Sequence, residues 1–427
     1  MDKFHIVGPT RLAGRVRASG AKNAALPAVA ASLLTDEPLV LHRVPRVRDL
    51  RTMGRLLGHL GIESEERNGS DSALVFQRTR PNDPDADDAP YDLVKTMRAG
   101  VLVLGPLLAR FGRARVSLPG GCAIGVRPID QHLKGLEALG ADIHLTHGYV
   151  EAAARRLTGA RFRFDMATVT GTENVLMAAS LAQGTTVLEN CAREPEVADL
   201  AGLLNAMGAR IAGAGTETIV VDGVDSLGGA EHTIIPDRIE GGTYLIGAAL
   251  TRGDVILEQA RAADLAPLLD KLAEVGATVE VAGDSIRVRS DGELTARDVA
   301  TAPHPGFPTD LQAQYMVLMT QANGVATIRE TIFENRFQHA PELARMGADV
   351  RVDGGTAHVH GPTPLAGAGV MATDLRASAC LILAGVAAEG ETVVDRIYHL
   401  ERGYEGMELK LQSLGARVAR WSTSPVT

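Results

Sequence analysis

Residues 199–209 read Asp-Leu-Ala-Gly-Leu-Leu-Asn-Ala-Met-Gly-Ala, a helical pattern that closes on an apolar residue, glycine and alanine. A similar closing phrase occurs six times, each time after a helical pattern and before a strand-like stretch. Its glycines are Gly61, Gly140, Gly208, Gly276, Gly347 and Gly415. Glycine suits this place because the residue just past a helix commonly needs a positive φ. The glycines lie 68–79 residues apart, which predicts an internal repeat of about 70 residues.

A second phrase divides each repeat. A glycine followed by alternating apolar residues begins a predicted strand, and a strongly apolar helical stretch such as 377–388 comes before it. The glycines of this phrase are Gly112, Gly184, Gly253, Gly324 and Gly390, and Glu37 fills the place in the first copy. We therefore predict an α/β fold of six helix–strand–helix–strand units. Because wholly apolar helices belong inside, we expect them to be bundled centrally with sheets around them, three units to a domain.

Composition narrows the class of protein. The 427 residues are 45% hydrophobic and 22% charged, which suits two to four folded domains and excludes a disordered chain. The net charge of −9 and the aromatic content of 4% argue against a nucleic-acid partner. The apolar runs 24–34 and 379–388 are too short to span a bilayer, and the first residues do not resemble a signal peptide. We expect a soluble, cytoplasmic protein without a membrane partner.

The starts of the apolar helices carry an unusual set of residues. The residues fourteen positions before each strand glycine are Asn23, Arg98, Thr170, Ile239, Asp310 and Arg376. A cation at a helix start opposes the helix dipole, at a cost of roughly 0.3–1 kcal/mol, whereas an anion is stabilised there. Asn23, Thr170 and Asp310 are equally well explained as N-caps, but that explanation does not cover Lys22, Arg98 or Arg376. We predict that these helix starts converge on a cleft that binds a small, highly anionic substrate.

Irregular loops supply further candidates. Cys122 and Arg127 lie in the glycine-rich stretch 117–130, where the arginine would lower the pKa of the thiol. That chemistry leaves a functional and a structural interpretation of Cys122 equally open, whereas Cys191 and Cys380 have apolar or strand surroundings typical of inert thiols. The proline-rich stretch 303–310 delivers Asp310 rigidly, as a general base requires.

Other chemistry is excluded by the spacing of the residues. The histidines and cysteines show no metal-ligand pattern, and no phosphate-loop or dinucleotide fingerprint is present, so we expect no metal and no cofactor. Arg336 and Arg402 lie in two further irregular stretches, 333–339 and 395–404. Their positions in equivalent parts of the repeats favour a functional role over simple solvation. The acidic stretch 81–90 is interpreted as a solvated loop.

Nine segments in the same order along the chain resemble the enolpyruvyl transferase family, in particular those members that act on UDP-N-acetylglucosamine. They are 19–25, 91–98, 119–122, 192–196, 236–240, 302–310, 333–337, 372–378 and 395–399. The resemblance implies two similar domains, each an inside-out α/β barrel of three repeats, with the active site in the cleft between them. It places the first domain at 22–235 and forms the second from 1–21 and 236–427.

The resemblance also implies a reaction. The enolpyruvyl group of phosphoenolpyruvate passes to the 3′-hydroxyl of UDP-N-acetylglucosamine and phosphate leaves. Cys122 matches the proton donor to the methylene carbon, a residue that also adds covalently to phosphoenolpyruvate, and Asp310 matches the proton acceptor. Residues matched to the phosphate are Lys22, Arg127 and Arg402. Residues matched to the carboxylate and the developing charge are Arg336 and Arg376.

A further set matches nucleotide-sugar and hinge contacts in the family. It consists of Asn23, Arg98, Arg127, Pro128, Ile129, Asp130, Gln131, Thr168, Val169, Asp310, Ile332 and Phe333. His132 and Glu194 match positions just behind these contacts. The chain departs from the family in the loop 165–172, where Met166 replaces a common lysine.

Two alternatives stand beside this interpretation. A shikimate-pathway enolpyruvyl transferase shares the fold but lacks the Pro-Gly-Gly-Cys stretch at 119–122. A non-catalytic nucleotide-sugar binding protein would not need Cys122, Asp310 and the set of cations together.

The cysteine assignment predicts selective labelling. An anionic epoxide such as fosfomycin should react with Cys122, and faster with UDP-N-acetylglucosamine present, because neighbouring cations would hold the inhibitor and favour the thiolate. Mass spectrometry should show one adduct, on the peptide that contains Cys122. Cys122→Asp should retain some turnover and resist labelling, because a carboxylic acid still donates a proton. Labelling at Cys191 or Cys380 instead would remove Cys122 from the mechanism.

Overall fold

A computed structural model of the chain describes residues 2–67, 73–80, 88–95, 97–120 and 128–422. Two predicted site residues, Cys122 and Arg127, lie outside the described residues, as does most of the acidic stretch 81–90. By its internal contacts the described chain divides into two compact units. Unit A comprises residues 20–120 and 128–235, and unit B comprises residues 2–19 and 236–422.

The helices and strands follow one another in a repeated order. Within the described residues the α-helices are α1 Lys22–Ala30, α2 Arg48–His59, α3 Tyr91–Val94, α4 Leu104–Phe111, α5 Asp130–Ala138, α6 Val169–Ala179, α7 Pro195–Ala206, α8 Arg238–Leu250, α9 Ala262–Val275, α10 Gln312–Met319, α11 Ala340–Arg345, α12 Leu375–Ala387 and α13 Met407–Ser413. The short 3₁₀ helices are Ala31–Leu34, Arg98–Val103, Thr309–Leu311 and Ile397–Arg402.

The strands of the first three repeats are numbered together with the two N-terminal strands. They are β1 Lys3–Gly8, β2 Ala13–Arg17, β3 Leu39–His42, β4 Ile62–Arg67, β5 Ala73–Arg78, β6 Asp88–Ala89, β7 Arg113–Ser117, β8 Asp142–Thr146, β9 Tyr149–Ala153, β10 Arg161–Arg163, β11 Thr185–Glu189, β12 Arg210–Ala212, β13 Thr218–Asp222 and β14 Ala230–Thr233. The remaining strands are β15 Asp254–Glu258, β16 Thr278–Ala282, β17 Ser285–Arg289, β18 Val299–Ala300, β19 Gly324–Arg329, β20 Asp349–Asp353, β21 Thr356–Gly361, β22 Gly369–Met371, β23 Gly390–Asp395 and β24 Arg417–Trp421.

The central helices are buried all round, as the apolar stretches predict. In α8 every residue after Arg238 is buried, and α6 and α12 are nearly as enclosed. In unit B the helices α8, α10 and α12 pack on one another, and in unit A α6 packs against both α1 and α4. The second helix of each repeat is amphipathic or only partly buried and lies against a strand, as α2 does on β4 and α9 on β16. One buried helix from each repeat therefore lies at the centre of each unit.

The described strands form six four-stranded sheets, three in each unit. The strand orders are β14-β3-β5-β4, β6-β7-β9-β8 and β10-β11-β13-β12 in unit A, and β2-β15-β17-β16, β18-β19-β21-β20 and β22-β23-β1-β24 in unit B. In every sheet the first strand runs parallel to its neighbour and the other pairs are antiparallel. In β19 and β21 the register runs from Gly324 opposite Gly361 to Arg329 opposite Thr356.

The repeat contains more strands than the sequence pattern predicts. Helix–strand–helix–strand is followed by a second long strand and a short one, for example β13 and β14 after β12. The short strand leaves its own sheet and pairs with the next repeat. In unit A, β14 pairs with β3 and so joins the third repeat back to the first. In unit B, β2 pairs with β15, while β1 lies between β23 and β24.

The predicted helix ends are confirmed in the described residues. The six glycines predicted to follow helices all have positive φ, between 85° at Gly61 and 109° at Gly276. Among the described residues, no helix combines the length and the apolar character needed to cross a membrane.

A substitution at Gly276 tests the helix ending. An added Cβ would meet the carbonyl oxygen of Glu293 at 3.2 Å, in a backbone conformation that L-residues disfavour. We expect Gly276→Ala to lower the unfolding free energy by about 1–2 kcal/mol, which in a unit of this size lowers Tm by roughly 2–4 °C per kcal/mol. Gly292→Ala is the control, because no atom lies within 4 Å of its added Cβ. Equal melting of the two variants in calorimetry would contradict the assignment.

Candidate functional site

The residues predicted at the helix starts lie there. Asn23, Thr170, Ile239 and Arg376 are each the second residue of a central helix, and Arg98 and Asp310 lie in the 3₁₀ turns that precede α4 and α10. The interpretation of Asn23, Thr170 and Asp310 as N-caps is wrong. The N-cap of α6 is Thr168, whose side chain accepts the backbone N–H of Gly171, and the N-cap positions of α1 and of the 3₁₀ turn at Asp310 hold Ala21 and Pro308. In α8 and α12 the N-caps are Asp237 and Asp374, whose side chains accept backbone N–H bonds of the first turn. The helix-start side chains are therefore released from capping.

In unit A, Lys22 is paired within the protein. Its Nζ lies 2.5 Å from Oδ2 of Asp49 at the start of α2, and both side chains are buried. The sequence argument that an arriving anion alone explains Lys22 is therefore incomplete, because Asp49 already balances its charge. A buried pair of this kind holds the ammonium group in one place, and removing either partner would leave an uncompensated buried charge.

The predicted substrate segment 128–131 is tied to the divergent loop 165–172. Gln131 Nε2 donates to Oδ2 of Asp130 at 2.8 Å and to Oδ2 of Asp165 at 2.9 Å, while its Oε1 accepts from the backbone N–H of Asp165 at 2.8 Å. Lys134 Nζ lies 2.6 Å from Asp165 Oδ2, and with Gln131 it lowers the pKa of that carboxyl. The Asp165 end of this loop, which leads to Thr168 and Val169 at the start of α6, is therefore anchored to α5.

Three other residues of this region are Arg98, Ile129 and Met166. Arg98 Nη2 donates to the backbone oxygen of Pro128 at 3.2 Å, which links the start of the second central helix to the same segment. Ile129 is buried beside it. The side chain of Met166 is 61% exposed, so the position where the family commonly has lysine carries an apolar group facing solvent.

His132 joins two helix starts in unit A. Asn174 donates from Nδ2 to His132 Nδ1 at 3.0 Å and to Val101 O at 2.8 Å, and its Oδ1 accepts from Gly105 N at 2.6 Å. His132 Nδ1 is therefore the acceptor, and Nε2, assigned the proton by this network, donates to Thr170 Oγ1 at 3.2 Å. Burial, and then the charge of Arg98, lower the pKa of His132 to about 3, so the ring is neutral.

Glu194, the other residue predicted behind the contacts, occupies the N-cap position of α7. It lies near the buried Glu173 of α6, whose pKa is raised well above its ordinary value by burial and by the charges of Glu196 and Glu194. Burial and these like charges therefore favour the protonated form of Glu173.

Unit B places the predicted base between two predicted cations. Arg336 Nη2 lies 2.9 Å from Asp310 Oδ1, and Arg376 Nη2 lies 2.6 Å from Asp310 Oδ2. Both guanidinium groups are nearly buried, whereas the carboxylate is one-quarter exposed. Burial works against the charged form of Arg376, but the charges of Asp310 and Tyr404, with Asp237, outweigh it and raise its pKa. The three side chains thus form a partly exposed carboxylate that is bound by two buried guanidinium groups.

A polar network behind Arg376 was missed by the sequence analysis. The guanidinium lies 5.5 Å from the ring centroid of Tyr404. Thr243 Oγ1 donates to Ile239 O at 2.8 Å, so the Tyr404 hydroxyl donates to Thr243 at 2.8 Å and accepts from Gln314 Nε2 at 3.2 Å. Thr243 and Gln314 lie inside central helices that are buried all round. A polar residue in such a helix was the available signal for this network.

The remaining predicted residues of unit B lie on nearby loops. Ile332 and Phe333 donate their backbone N–H groups to Oε1 of Glu330, at 2.9 and 3.3 Å. The Phe333 ring lies 5.4 Å from the guanidinium carbon of Arg336. Arg402 is the last residue of the 3₁₀ helix Ile397–Arg402 and is partly exposed. In the described part of the chain, no group of three or more His, Cys, Asp or Glu side chains is arranged to hold a metal ion.

The fold and these residues define an α/β protein that presents arginine, lysine and carboxylate side chains at the starts of buried helices, an arrangement suited to a small anionic ligand. Residues 6–411 match the family model for EPSP synthase (3-phosphoshikimate 1-carboxyvinyltransferase). The chain belongs to this family.

Individual relatives narrow the comparison. The chain is 58% identical to the UDP-N-acetylglucosamine 1-carboxyvinyltransferase of Sorangium cellulosum, over 98% of this chain and 99% of the relative. It is 57% identical to the protein of the same name from Koribacter versatilis, over 98% and 96% of the two chains. Among solved structures, the enolpyruvyl transferase NikO from Streptomyces tendae superimposes with a TM-score of 0.87 at 29% identity, over 99% of both chains.

The neutral state of His132 has a measurable consequence. Its folded-state pKa of about 3 lies below the ordinary value of 6.5. Below pH 6.5 the unfolded chain therefore binds a proton that the folded chain does not, and this site makes stability fall as pH drops from 6.5 towards 3, by up to about 1.4 kcal/mol per pH unit. The ring-carbon NMR shift of His132, assigned with His132→Gln, should stay constant between pH 8 and 5. A titration midpoint near pH 6.5 would refute the network.

Proposed function

We propose that this protein transfers the enolpyruvyl group of phosphoenolpyruvate to the 3′-hydroxyl of UDP-N-acetylglucosamine and releases phosphate. The observation that carries the proposal is the carboxylate of Asp310 held between Arg336 and Arg376 in a chain that is 58% identical, over nearly its whole length, to a protein of that name. The reaction is the first committed step of peptidoglycan synthesis, and we assign it to the cytoplasm.

The cations fit the charge of phosphoenolpyruvate. That substrate carries a carboxylate and a phosphate, and each cation at 4 Å contributes roughly 4 kcal/mol at an effective dielectric near 20, before the cost of desolvation is subtracted. We assign Lys22, Arg127 and Arg402 to the phosphate group of phosphoenolpyruvate. Arg336 and Arg376 are assigned to its carboxylate. The pairing of Lys22 with Asp49 fixes the ammonium before the substrate arrives, so less side-chain entropy is lost on binding.

Asp310 and Cys122 divide the proton transfers. Asp310 removes the proton from the 3′-hydroxyl of the sugar while the oxygen of that hydroxyl bonds to carbon 2 of phosphoenolpyruvate. Cys122 donates a proton to the methylene carbon. The product of this addition is a tetrahedral ketal that still carries phosphate. Loss of phosphate and of one methyl proton then restores the double bond. Arg336 and Arg376 each bind one oxygen of the Asp310 carboxylate and so hold it in a fixed orientation for the proton transfer.

The nucleotide sugar is assigned to the helix starts and loops that the resemblance matches to it. Asn23, Arg98, the segments 127–131 and 168–169, Ile332 and Phe333 are the proposed contacts. The hydrogen bonds of Gln131 to Asp130 and Asp165 support this assignment, because they fix the 130–131 and 165 ends of these two segments before the ligand binds. With Met166 at the position of a common family lysine, the diphosphate depends on other cations.

A phosphate-release assay tests the reaction. With phosphoenolpyruvate present, UDP-N-acetylglucosamine should trigger release, and mass spectrometry should find one carboxyvinyl group added to the nucleotide sugar. Shikimate 3-phosphate, the acceptor named by the family model, should give no release. Release with shikimate 3-phosphate alone, or with neither acceptor, would overturn the proposal.

The assignment of Lys22 and Arg402 to the phosphate predicts that substituting either residue weakens the use of phosphoenolpyruvate but not the binding of the nucleotide sugar. Arg402→Ala and Lys22→Ala should each raise KM for phosphoenolpyruvate at least tenfold, the loss expected when a charged contact of about 1.5–3 kcal/mol is removed. Calorimetric titration with UDP-N-acetylglucosamine alone should stay near wild type. Arg351→Ala, at an exposed arginine of unit B, is the control. Because Lys22→Ala leaves Asp49 unpaired, its melting must be measured as well. A large loss of nucleotide-sugar affinity in either variant would contradict the assignment.

A further inference from the structure

We propose that Glu330 is a positioning residue for Asp310, acting by joining the loop that carries the acid to the loop that carries its arginine partner. The inference rests on the proposed function, since it concerns the residue assigned as proton acceptor. Glu330 directly follows β19 and is 7% exposed.

The Glu330 carboxylate receives four hydrogen bonds from two loops. Oε1 accepts from the Thr301 hydroxyl at 2.9 Å and from the backbone N–H groups of Ile332 and Phe333 at 2.9 and 3.3 Å. Oε2 accepts from the Thr309 hydroxyl at 2.8 Å. Both oxygens are thus occupied by fixed hydroxyl and backbone donors, and hydrogen bonds to an ionised acceptor are stronger than those between neutral groups.

The places at which these bonds fall connect Glu330 to the acid. Thr309 is the residue immediately before Asp310, in a loop that contains Pro303, Pro305 and Pro308. Phe333 lies three residues before Arg336, whose guanidinium donates to Asp310. The two loops therefore meet twice, through Glu330 on one side and through the Asp310–Arg336 pair on the other. A shift of Glu330 would move both partners of that pair.

The bases of the same loops are joined independently of Glu330. Thr331 donates its N–H to Thr301 Oγ1 at 2.9 Å and its hydroxyl to Thr301 O at 2.7 Å. Thr301 N in turn donates to Arg329 O at 2.9 Å. Loss of the Glu330 carboxylate should therefore leave the loops in place at residues 301 and 331 and release the far end at Thr309. The bond between Thr309 and Glu330 is what distinguishes positioning of the acid from support of the fold.

Glu330→Gln is the variant that tests this arrangement. If the amide oxygen keeps the N–H groups of Ile332 and Phe333, its NH₂ group faces Thr309 and the hydroxyl must reverse its bond. We expect kcat to fall on the order of 10- to 100-fold, since a displacement of about 1 Å at a reacting group costs up to about 10²-fold. The Kd for UDP-N-acetylglucosamine should change less than threefold. Glu389→Gln, which changes an exposed glutamate that directly precedes β23, is the matched control.

Two further measurements separate positioning from general support. In an Asp310→Asn background, Glu330→Gln should cause no additional loss of kcat, because the group that it positions is already disabled. Thr309→Val should reproduce the loss, and Thr309→Ser, which keeps the hydroxyl, should retain wild-type turnover. If Glu330→Gln is too unstable to be assayed, Thr309→Val and Thr309→Ser provide the test. Thr309→Val is then also compared with the same substitution in the Asp310→Asn background.

Each outcome bears on one proposal. Wild-type protein without enolpyruvyl transfer would overturn the proposed function. Wild-type turnover with Glu330→Gln equal to the Glu389→Gln control, or with the same fold-loss added in the Asp310→Asn background, would overturn the positioning role alone. The expected result is a loss in Glu330→Gln that disappears in the Asp310→Asn background, together with wild-type turnover in Thr309→Ser and a comparable loss in Thr309→Val.

Discussion

A helix that is buried on every side has no lateral surface on which to place a charge. This constraint governs both units, because α6 in unit A and α8 and α12 in unit B are buried along nearly their whole length. Their free backbone N–H groups are confined to the first turn. Chemistry on such a scaffold must be placed at the helix starts and on the loops that enter them. Asp310 and Arg376, from two different repeats of unit B, meet in this way.

The cations at these starts are already paired with carboxylates before any substrate is present. Asp49 faces Lys22, and Asp310 faces two arginines, so each unit carries buried cations together with carboxylates of its own. Such pairing lowers the cost of burial and fixes side chains that would otherwise sample many rotamers. It also means that an arriving anion competes with, or adds to, an existing pair. A cation at a helix start is therefore weaker evidence for a ligand than the sequence argument assumed.

Periodicity made much of the fold predictable. The recurring glycines located the helix ends, and counting back from the strands located all six helix starts, including those that begin as 3₁₀ turns at Arg98 and Asp310. The second long strand of each repeat was missed because no recurring glycine phrase marks it, although Thr218–Asp222 alternates between exposed and buried residues and Ser285–Arg289 between polar and apolar ones.

Residues of the candidate site could be predicted only where their type is unusual for the helix or strand that contains them. Lys22, Arg98 and Arg376 stood out at the starts of apolar helices, whereas Asp49 lies on another helix and has nothing local to mark it. Glu330 follows an ordinary strand, where a glutamate is commonly solvated, and its four bonds depend on loops brought together by the tertiary fold. Thr243 and Gln314 carried a signal, as polar residues in buried helices, which the analysis passed over.

The place of β1 between β23 and β24 bears on how the chain is made. Its partners are residues 390–395 and 417–421, so β1 cannot pair until those much later strands have been synthesised. At roughly 5–20 residues per second this interval is about 20–80 s. All three sheets of unit A are built from strands between residues 39 and 233, so unit A is able to fold during that time. The N-terminal segment, with its alternating apolar residues, must meanwhile stay unpaired and is a site where a chaperone would protect the nascent chain.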